Sequence, residues 1–406
     1  MSGPASSPLG TTAGRGRPAN LLETLGIMSD LSLALEALET SRSQLPVTSY
    51  FDPQVHAREM ELIFQSGPRY LGHALMVPEV GDFQTLAQEG EGRALVRTAE
   101  GIQLVSNVCR HRQAVMLKGR GHAGAQVVCP LHRWTYGLDG RLIGAPHFAT
   151  DPCLNLRNFP VREWNGLIFE DNGRDVAADL AGLGPRADLD FSGYVFDKAI
   201  QHTCHYNWKT FIEVYLEDYH VGPFHPGLGN FVTCDDLRWE MGDEYSVQTV
   251  GLAAGFGQAL GRSGSPAYER WQKAVMDYQQ GTPPRHGAIW LTYYPTVMVE
   301  WYPNVLVVSH LTPKGPRETL NTVEFYYPEE IAAFERDYVD AQQAAYMETC
   351  VEDDEIAERM DAGRLALMNR GENEVGPYQS PMEDGMQQFH EWYRRRMQWP
   401  AEAGPA

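Results

Sequence analysis

Cysteine is scarce, with six residues (Cys109, Cys129, Cys153, Cys204, Cys234 and Cys350) in 406. That is too few for a disulfide scaffold, and in a reducing cytosol they stay thiols whose use is metal binding. Positive charge is also in deficit: 33 Lys and Arg stand against 53 Asp and Glu, a net charge of −20. Such a surface is repelled by phosphate backbones, which excludes nucleic acid from the expected partners. No run of 18 apolar residues occurs, and the opening MSGPASSPLGTTAGRGRPAN lacks the apolar centre of a secretory signal. The expectation is a cytoplasmic protein with no membrane partner. Core-forming residues are plentiful: 43% of the chain is apolar, with nine Trp, 19 Tyr and 15 Phe, which excludes disorder. Domains commonly run about 100 to 200 residues, so two are expected.

Residues 1–20, rich in Gly, Ser, Pro and Ala, read as a tail, and 21–45 as a helical segment with Leu31, Leu33, Leu35 and Leu38 behind a Ser-Asp start. From Tyr70 to Pro160 short runs such as Ala94-Leu95-Val96 and Ile102-Gln103-Leu104-Val105 alternate with Gly turns, the pattern of a small all-β domain. A looser stretch, Ala177 to Arg186, separates the halves, giving domains over 46–175 and 176–406. The second half mixes types. Asn207 to His220 is helix-like, and Gly287 to His310 is rich in aromatic and β-branched residues, as strands are. Pro328-Glu329-Glu330 opens a helix whose apolar series runs through Phe334, Tyr338 and Met347. The fold class is α+β.

Chemistry is concentrated in two places. Cys109-Arg-His111 is followed, after seventeen residues, by Cys129-Pro-Leu-His132. Each motif offers one thiolate and one imidazole from a tight loop, so two facing loops make a closed four-ligand site. Zinc accepts such a set, although its familiar finger keeps both cysteines in one knuckle. A Rieske [2Fe–2S] centre divides two Cys to one iron and two His to the other, which interleaved loops supply. His122 and His147 fall outside the pattern and read as ordinary histidines.

The segment Asn107-Val-Cys109-Arg-His111-Arg112 through Cys129-Pro-Leu-His132-Arg-Trp134-Thr-Tyr136-Gly137 resembles the Rieske domain of ring-hydroxylating and related Rieske non-haem iron oxygenases. The resemblance extends over about residues 46 to 395. It implies an all-β cluster domain followed by a helix-grip catalytic domain, an antiparallel sheet wrapped on a long helix. It also implies Cys109, His111, Cys129 and His132 as cluster ligands.

The second place is Asn207-Trp208-Lys209 through Glu213, Glu217, His220 and His225. Glu213, Glu217 and His220 are spaced to share one face of a continuous helix. Gly222-Pro223 is expected to break that helix and turn His225 back toward His220. Two His and one carboxylate form the facial triad of non-haem Fe(II). The resemblance places the carboxylate in Val351-Glu352-Asp353-Asp354-Glu355, at Asp353 with Asp354 as the alternative, in a run that otherwise reads as a solvated helix face. Glu217 stands where most members carry Asp, the residue that bridges the iron-site His to a cluster His across a subunit boundary. In this it resembles the subset that oxidises quaternary amines, such as carnitine monooxygenase.

The resemblance further implies an oxygenase component. Electrons from NAD(P)H would arrive through a flavin- or ferredoxin-type reductase and pass from His132 of one subunit through Glu217 to His220 of its neighbour. There Fe(II) on His220, His225 and Asp353 activates O₂, in a ring-shaped homotrimer. Three activities remain open: hydroxylation or N-dealkylation of a small amine, oxidation of an aromatic ring or acid, and ligand binding without turnover. Trp290, Tyr293, Tyr294, Trp301 and Tyr302 read either as a cation–π box for a quaternary ammonium or as strand and core positions.

Overall fold

The β-branched runs between Tyr70 and Glu170 pair only antiparallel. In the computed structural model of the chain, which describes residues 44–257 and 265–398, Asp82–Thr85, Arg93–Thr98 and Gly101–Ser106 form the middle of a five-stranded sheet edged by Arg120–His122 and Asn158–Phe159. Leu95 lies opposite Leu104, and alternation sends both to a core with Leu71 and Ile168, while Ala94, Val96 and Val105 pack on the other face. A three-stranded sheet of Gln126–Val128, Thr135–Gly137 and Leu142–Gly144 flanks the second Cys-His loop. A third, of Tyr70–His73, Leu167–Glu170 and Val161–Trp164, packs Tyr70 and Phe169 against the C-terminal half.

That half is built on seven antiparallel strands: β1 (Tyr194–Cys204), β2 (Val232–Met241), β3 (Tyr245–Leu252), β4 (Ala288–Tyr293), β5 (Val297–Tyr302), β6 (Val305–Gly315) and β7 (Glu318–Pro328). Their order is β1-β7-β6-β5-β4-β3-β2. Strand alternation sorts the side chains. Val247, Ile289, Leu291, Val299 and Val308 face the cluster-bearing half, whereas Val250, Trp290, Tyr302, Val307 and Phe325 face the helices. Five helices matter for the site: α1 (Trp208–Tyr215), α2 (Val221–Phe224), α3 (Pro266–Tyr278), α4 (Arg336–Arg370) and α5 (Asp384–Met397). The 35 residues of α4 make a rod about 50 Å long. Its first half lays Tyr338, Val339, Ala345 and Tyr346 on the sheet, and Gly371, in the left-handed region at φ 72°, stops it.

Several expectations need correction. Tail residues 1–20 and the helix expected near Ser29–Arg42 lie outside the described residues. Leu45, Tyr50, Phe51 and Ile63 bury against Trp208, Ile212 and Phe389, so the segment assigned to the cluster domain from residue 46 belongs at first to the other core. Ala177–Arg186 is not loose: Val176, Leu180 and Leu183, at helical spacing, are buried over two short helical turns. The helix opened by Glu329 ends at Phe334, and Phe334, placed in the apolar series, is 83% exposed; the chain kinks at Glu335 and restarts as α4.

Candidate metal centres and the cavity between sheet and helix

The two Cys-His loops have the same construction. Cys109 donates its N–H to the Ala114 carbonyl and accepts from Gln113; Cys129 does so with Trp134 and Arg133. Gln113 and Arg133, each four residues past its cysteine, adopt φ of 55° and 61°, the left-handed step that closes a tight turn. Cys109 and Cys129 are buried, His132 is exposed, and the His111 and His132 Nδ1 atoms lie 3.1 Å apart. His111 stacks on Trp134, with ring centroids 5.1 Å apart. Burial raises the Cys109 thiol, but the N–H groups of His111 and Arg112 and the Tyr136 hydroxyl outweigh it and hold the thiol below its usual range, as a metal-binding thiolate requires. Two cysteine sulfurs and two imidazole Nδ1 atoms are the donor set of a cluster that takes S₂ on one iron and N₂ on the other. His122 pairs with Asp82 at 2.8 Å and His147 is exposed; neither joins the centre.

The second centre begins at α1. Asn207 caps it, accepting from Lys209 N at 2.9 Å. The helix ends at Tyr215, two residues short of Glu217, so the common face expected for Glu213, Glu217 and His220 does not form. Glu213 points instead into a buried network with Tyr50, Arg364 and His390. The expected break at Gly222-Pro223 also moves: those residues lie inside the single turn α2, where a proline in the first turn loses no helical bond. His220 and His225 cap the two ends of that turn, and their Nε2 atoms meet at 2.9 Å.

Asp353 Oδ1 stands 3.0 Å from His225 Nε2 and 3.5 Å from His220 Nε2. Asp354, one helical step round, turns to His202 at 2.6 Å and Tyr206 at 2.8 Å. Tyr346, Thr349, Cys350 and Asp353 follow i, i+3, i+4, i+7 on the α4 face that looks into the cavity. Behind the imidazoles, Glu217 Oε1 takes Nδ1 of His220 at 2.5 Å and Glu352 Oε2 takes Nδ1 of His225 at 2.7 Å. With each Nδ1–H donated outward, both Nε2 atoms present lone pairs to each other and to a carboxylate, an arrangement that suits a cation. Burial alone would lower His220, but Asp353 and Glu217 overcome it and push the imidazole up to about 10. A metal ion held by His220, His225 and Asp353 would take the place of those protons.

A cavity opens from this centre between α1, α4 and the sheet. Its wall includes Phe211, Tyr215, Asp218, Trp271, Trp290, Glu300, Tyr302 and Tyr346. Of the five aromatics weighed as a box, Trp290 and Tyr302 line it, Tyr293 and Trp301 face the opposite side of the sheet, and Tyr294 packs with Phe389 in another core, because neighbouring strand residues point to opposite faces. Tyr302 and Tyr346 donate to the two oxygens of Glu300, at 2.8 and 2.7 Å. Burial pushes Glu300 up to about 7 against these bonds, and Asp218 up to about 6. Glu300 and Glu352 escaped the reading of the sequence. Glu300 had a signal: a single charge inside the apolar run Val297-Met-Val-Glu-Trp-Tyr302.

Residues 70–160 match the family model of the Rieske [2Fe-2S] domain, and 191–399 that of the catalytic domain of the ring hydroxylating alpha subunit. The chain belongs to the Rieske non-haem iron oxygenase family. It is 64% identical, over 92% of its own length and 100% of the relative's, to a putrescine 2-hydroxylase of Ralstonia nicotianae. It is 58% identical to one of Bordetella bronchiseptica, over 94% and 90% of the two chains, and 28% identical to the choline monooxygenase of Beta vulgaris, over 87% and 77%. The crystal structure of the quaternary ammonium Rieske monooxygenase CntA superposes with a TM-score of 0.69 at 22% identity, covering 87% of this chain and 94% of that one. The protein is thus an oxygenase with a Rieske cluster and a mononuclear non-haem iron. Members of the family draw electrons from a reductase or ferredoxin and consume O₂. No described helix is long and apolar enough to cross a membrane.

Proposed function

We propose that this chain hydroxylates a small aliphatic amine, putrescine first among candidates, at a carbon near nitrogen. The observation that carries the proposal is the cavity: it joins the His220–His225–Asp353 cluster to a wall of aromatic rings and three further carboxylates, Glu217, Asp218 and Glu300, with no Lys or Arg among its lining residues. The reading is supported by the putrescine 2-hydroxylase relatives. The overall reaction balances as R–H + O₂ + NAD(P)H + H⁺ → R–OH + H₂O + NAD(P)⁺. When bound, cluster and iron supply one-electron transfer and oxygen activation.

The residues have separate tasks in this reading. Cys109, His111, Cys129 and His132 hold the cluster, and His220, His225 and Asp353 hold the iron. Glu217 and Glu352 fix the two imidazoles by their Nδ1–H groups, so that each Nε2 faces inward. The aromatic wall excludes water from the substrate carbon.

Glu217 also carries the electron path from the partner subunit's cluster in a homotrimer. Two features support an interface at these places. Leu131 beside His132 is 57% exposed, and Tyr219 beside His220 is 61% exposed; apolar surface at both ends of an electron path is suited to burial between subunits. Neutral Gln at 217 would then leave the cluster reducible and stall its reoxidation. We place the protein in the cytoplasm, with a flavin- or ferredoxin-type reductase as donor. The test is anaerobic reduction followed by a pulse of ¹⁸O₂ with putrescine, choline, carnitine or benzoate. Fast cluster reoxidation and a product heavier by one ¹⁸O atom are expected with putrescine. Product from benzoate alone would overturn the reading.

A further inference from the structure

Two buried carboxylates on the cavity wall have no Lys or Arg partner. Glu300 is 1% exposed and Asp218 4%. Glu300 receives Tyr302 and Tyr346, and Asp218 Oδ1 receives the Gln248 amide, with the Cys234 thiol the other neutral group against its carboxylate. The hydroxyl of Tyr215, on the same wall, is buried and also lies against the Glu300 carboxylate. A carboxylate so placed is unfavourable until a counter-charge arrives. Elsewhere the protein supplies one: Glu59 has Lys209, and Glu213 has Arg364.

The sheet sets the separation of the two groups. Gln248 of β3 is the register partner of Trp290 in β4, and Trp290 is the partner of Glu300 in β5. The three share one face in a row across three strands, so the Cα atoms of Gln248 and Glu300 lie about 10 Å apart at the usual strand spacing. Asp218 hangs on one end of the row and Glu300 forms the other, with the Trp290 indole between them.

We propose that Asp218 and Glu300 receive the two ammonium groups of a linear aliphatic diamine lying along this row. The inference rests on the amine reading above and names what selects a diamine within it. Each ammonium meets one carboxylate, Tyr215 offers an acceptor oxygen to spare, and Trp290 supplies an aromatic contact to the methylenes. With both ends held, the chain cannot slide, so one carbon stays presented to the α4 face that bears Asp353.

The test is titration calorimetry on the iron-loaded protein under anaerobic conditions, with diamines of two to six carbons and n-butylamine. Affinity should peak at one diamine length and fall at least about tenfold for butylamine. Glu300→Gln and Asp218→Asn should each raise Kd for the preferred diamine about 30-fold or more, the usual cost of removing one partner of a buried charge pair. Glu324→Gln is the control. Glu324 also accepts two tyrosines, Tyr70 and Tyr326 at 2.7 Å each, but does not line the cavity, so its affinity should match wild type. The length series needs only the wild-type protein and remains decisive where a variant does not fold. Wild-type affinity in Glu300→Gln or Asp218→Asn, equal loss in Glu324→Gln, or butylamine binding as tightly as every diamine would overturn the proposal alone. Failure of wild type to bind any amine would overturn the amine reading with it.

Discussion

Helix α1 separates two sets of buried carboxylates that are handled in opposite ways. On its Lys209 and Glu213 side each acid meets a cation. Glu59 takes the Lys209 ammonium at 2.5 Å, the Trp208 indole N–H at 3.1 Å and the Tyr393 hydroxyl at 2.6 Å. Glu213 takes Arg364 at 2.5 Å and His390 at 2.8 Å. On the Phe211 and Tyr215 side, Glu300 and Asp218 meet hydroxyl and amide groups but no Lys or Arg. The contrast teaches how to tell structure from function among buried charges. A matched acid has its lone pairs filled and ties Leu45–Gln65, α1 and α5 together. An unmatched acid at a cavity keeps capacity for a ligand.

The sharpest way to break the comparison is to unmatch the matched side. Lys209→Met strands the Glu59 carboxylate, and unfolding free energy should fall by about 3 to 5 kcal/mol, measured by urea denaturation. Adding Glu59→Met should restore most of it, since a buried ion pair replaced by apolar groups of similar volume is often neutral. Tyr50→Phe removes one hydroxyl from Glu213 and leaves Arg364 and His390, so a smaller loss, about 1.5 to 3 kcal/mol, is expected.

Acid separates the two sets by sign. Burial would raise Glu59 and Glu213, but Lys209 for the first and Arg364 for the second outweigh it and hold both at about 2. A carboxyl lowered in the folded state contributes stability that is complete above its ordinary value of 4.5 and lost as pH falls through about 2. The advantage of wild type over the Glu59→Met, Lys209→Met double variant should therefore shrink between pH 4.5 and 2. The change is read as midpoint shifts in urea.

What the sequence disclosed follows the same division. The Rieske domain was legible because the four candidate ligands lie within 24 positions and their chemistry is local. His220 and His225 are also close in sequence, and of the two carboxylates weighed on the resemblance it is Asp353 that stands 3.0 Å from His225 Nε2, since one step of 100° sends Asp354 to His202. The reading failed where partners are distant. Nothing near Glu213 announces Arg364 or His390, and with its partners unseen its spacing pointed falsely to the iron face. The same blindness put residues 46–65 with the cluster domain, although Tyr50 and Ile63 fill a core completed by Phe389. For the aromatics, composition said strand, but which of two neighbours looks into the cavity depended on register.

The smallest effect on stability tests the unmatched side. Glu300→Gln removes a charge that no protein cation balances, while its amide keeps an oxygen for Tyr302 or Tyr346. Burial raises Glu300 to about 7, so relative to the unfolded chain the folded protein prefers the protonated acid between pH 4.5 and 7, and wild type loses stability as pH rises through that window. At pH 8 without amine, Glu300→Gln should therefore equal wild type or exceed it by about 1 to 2 kcal/mol. At pH 4.5, where the protonated acid and the amide are nearly isosteric, the difference should vanish. Saturating diamine at pH 8 should reverse the order, because only the carboxylate gains a counter-charge and ligand bound to the folded state adds to stability. A Glu300 that instead stabilised the empty protein at pH 8 would act as a matched acid, and the division drawn at α1 would not hold.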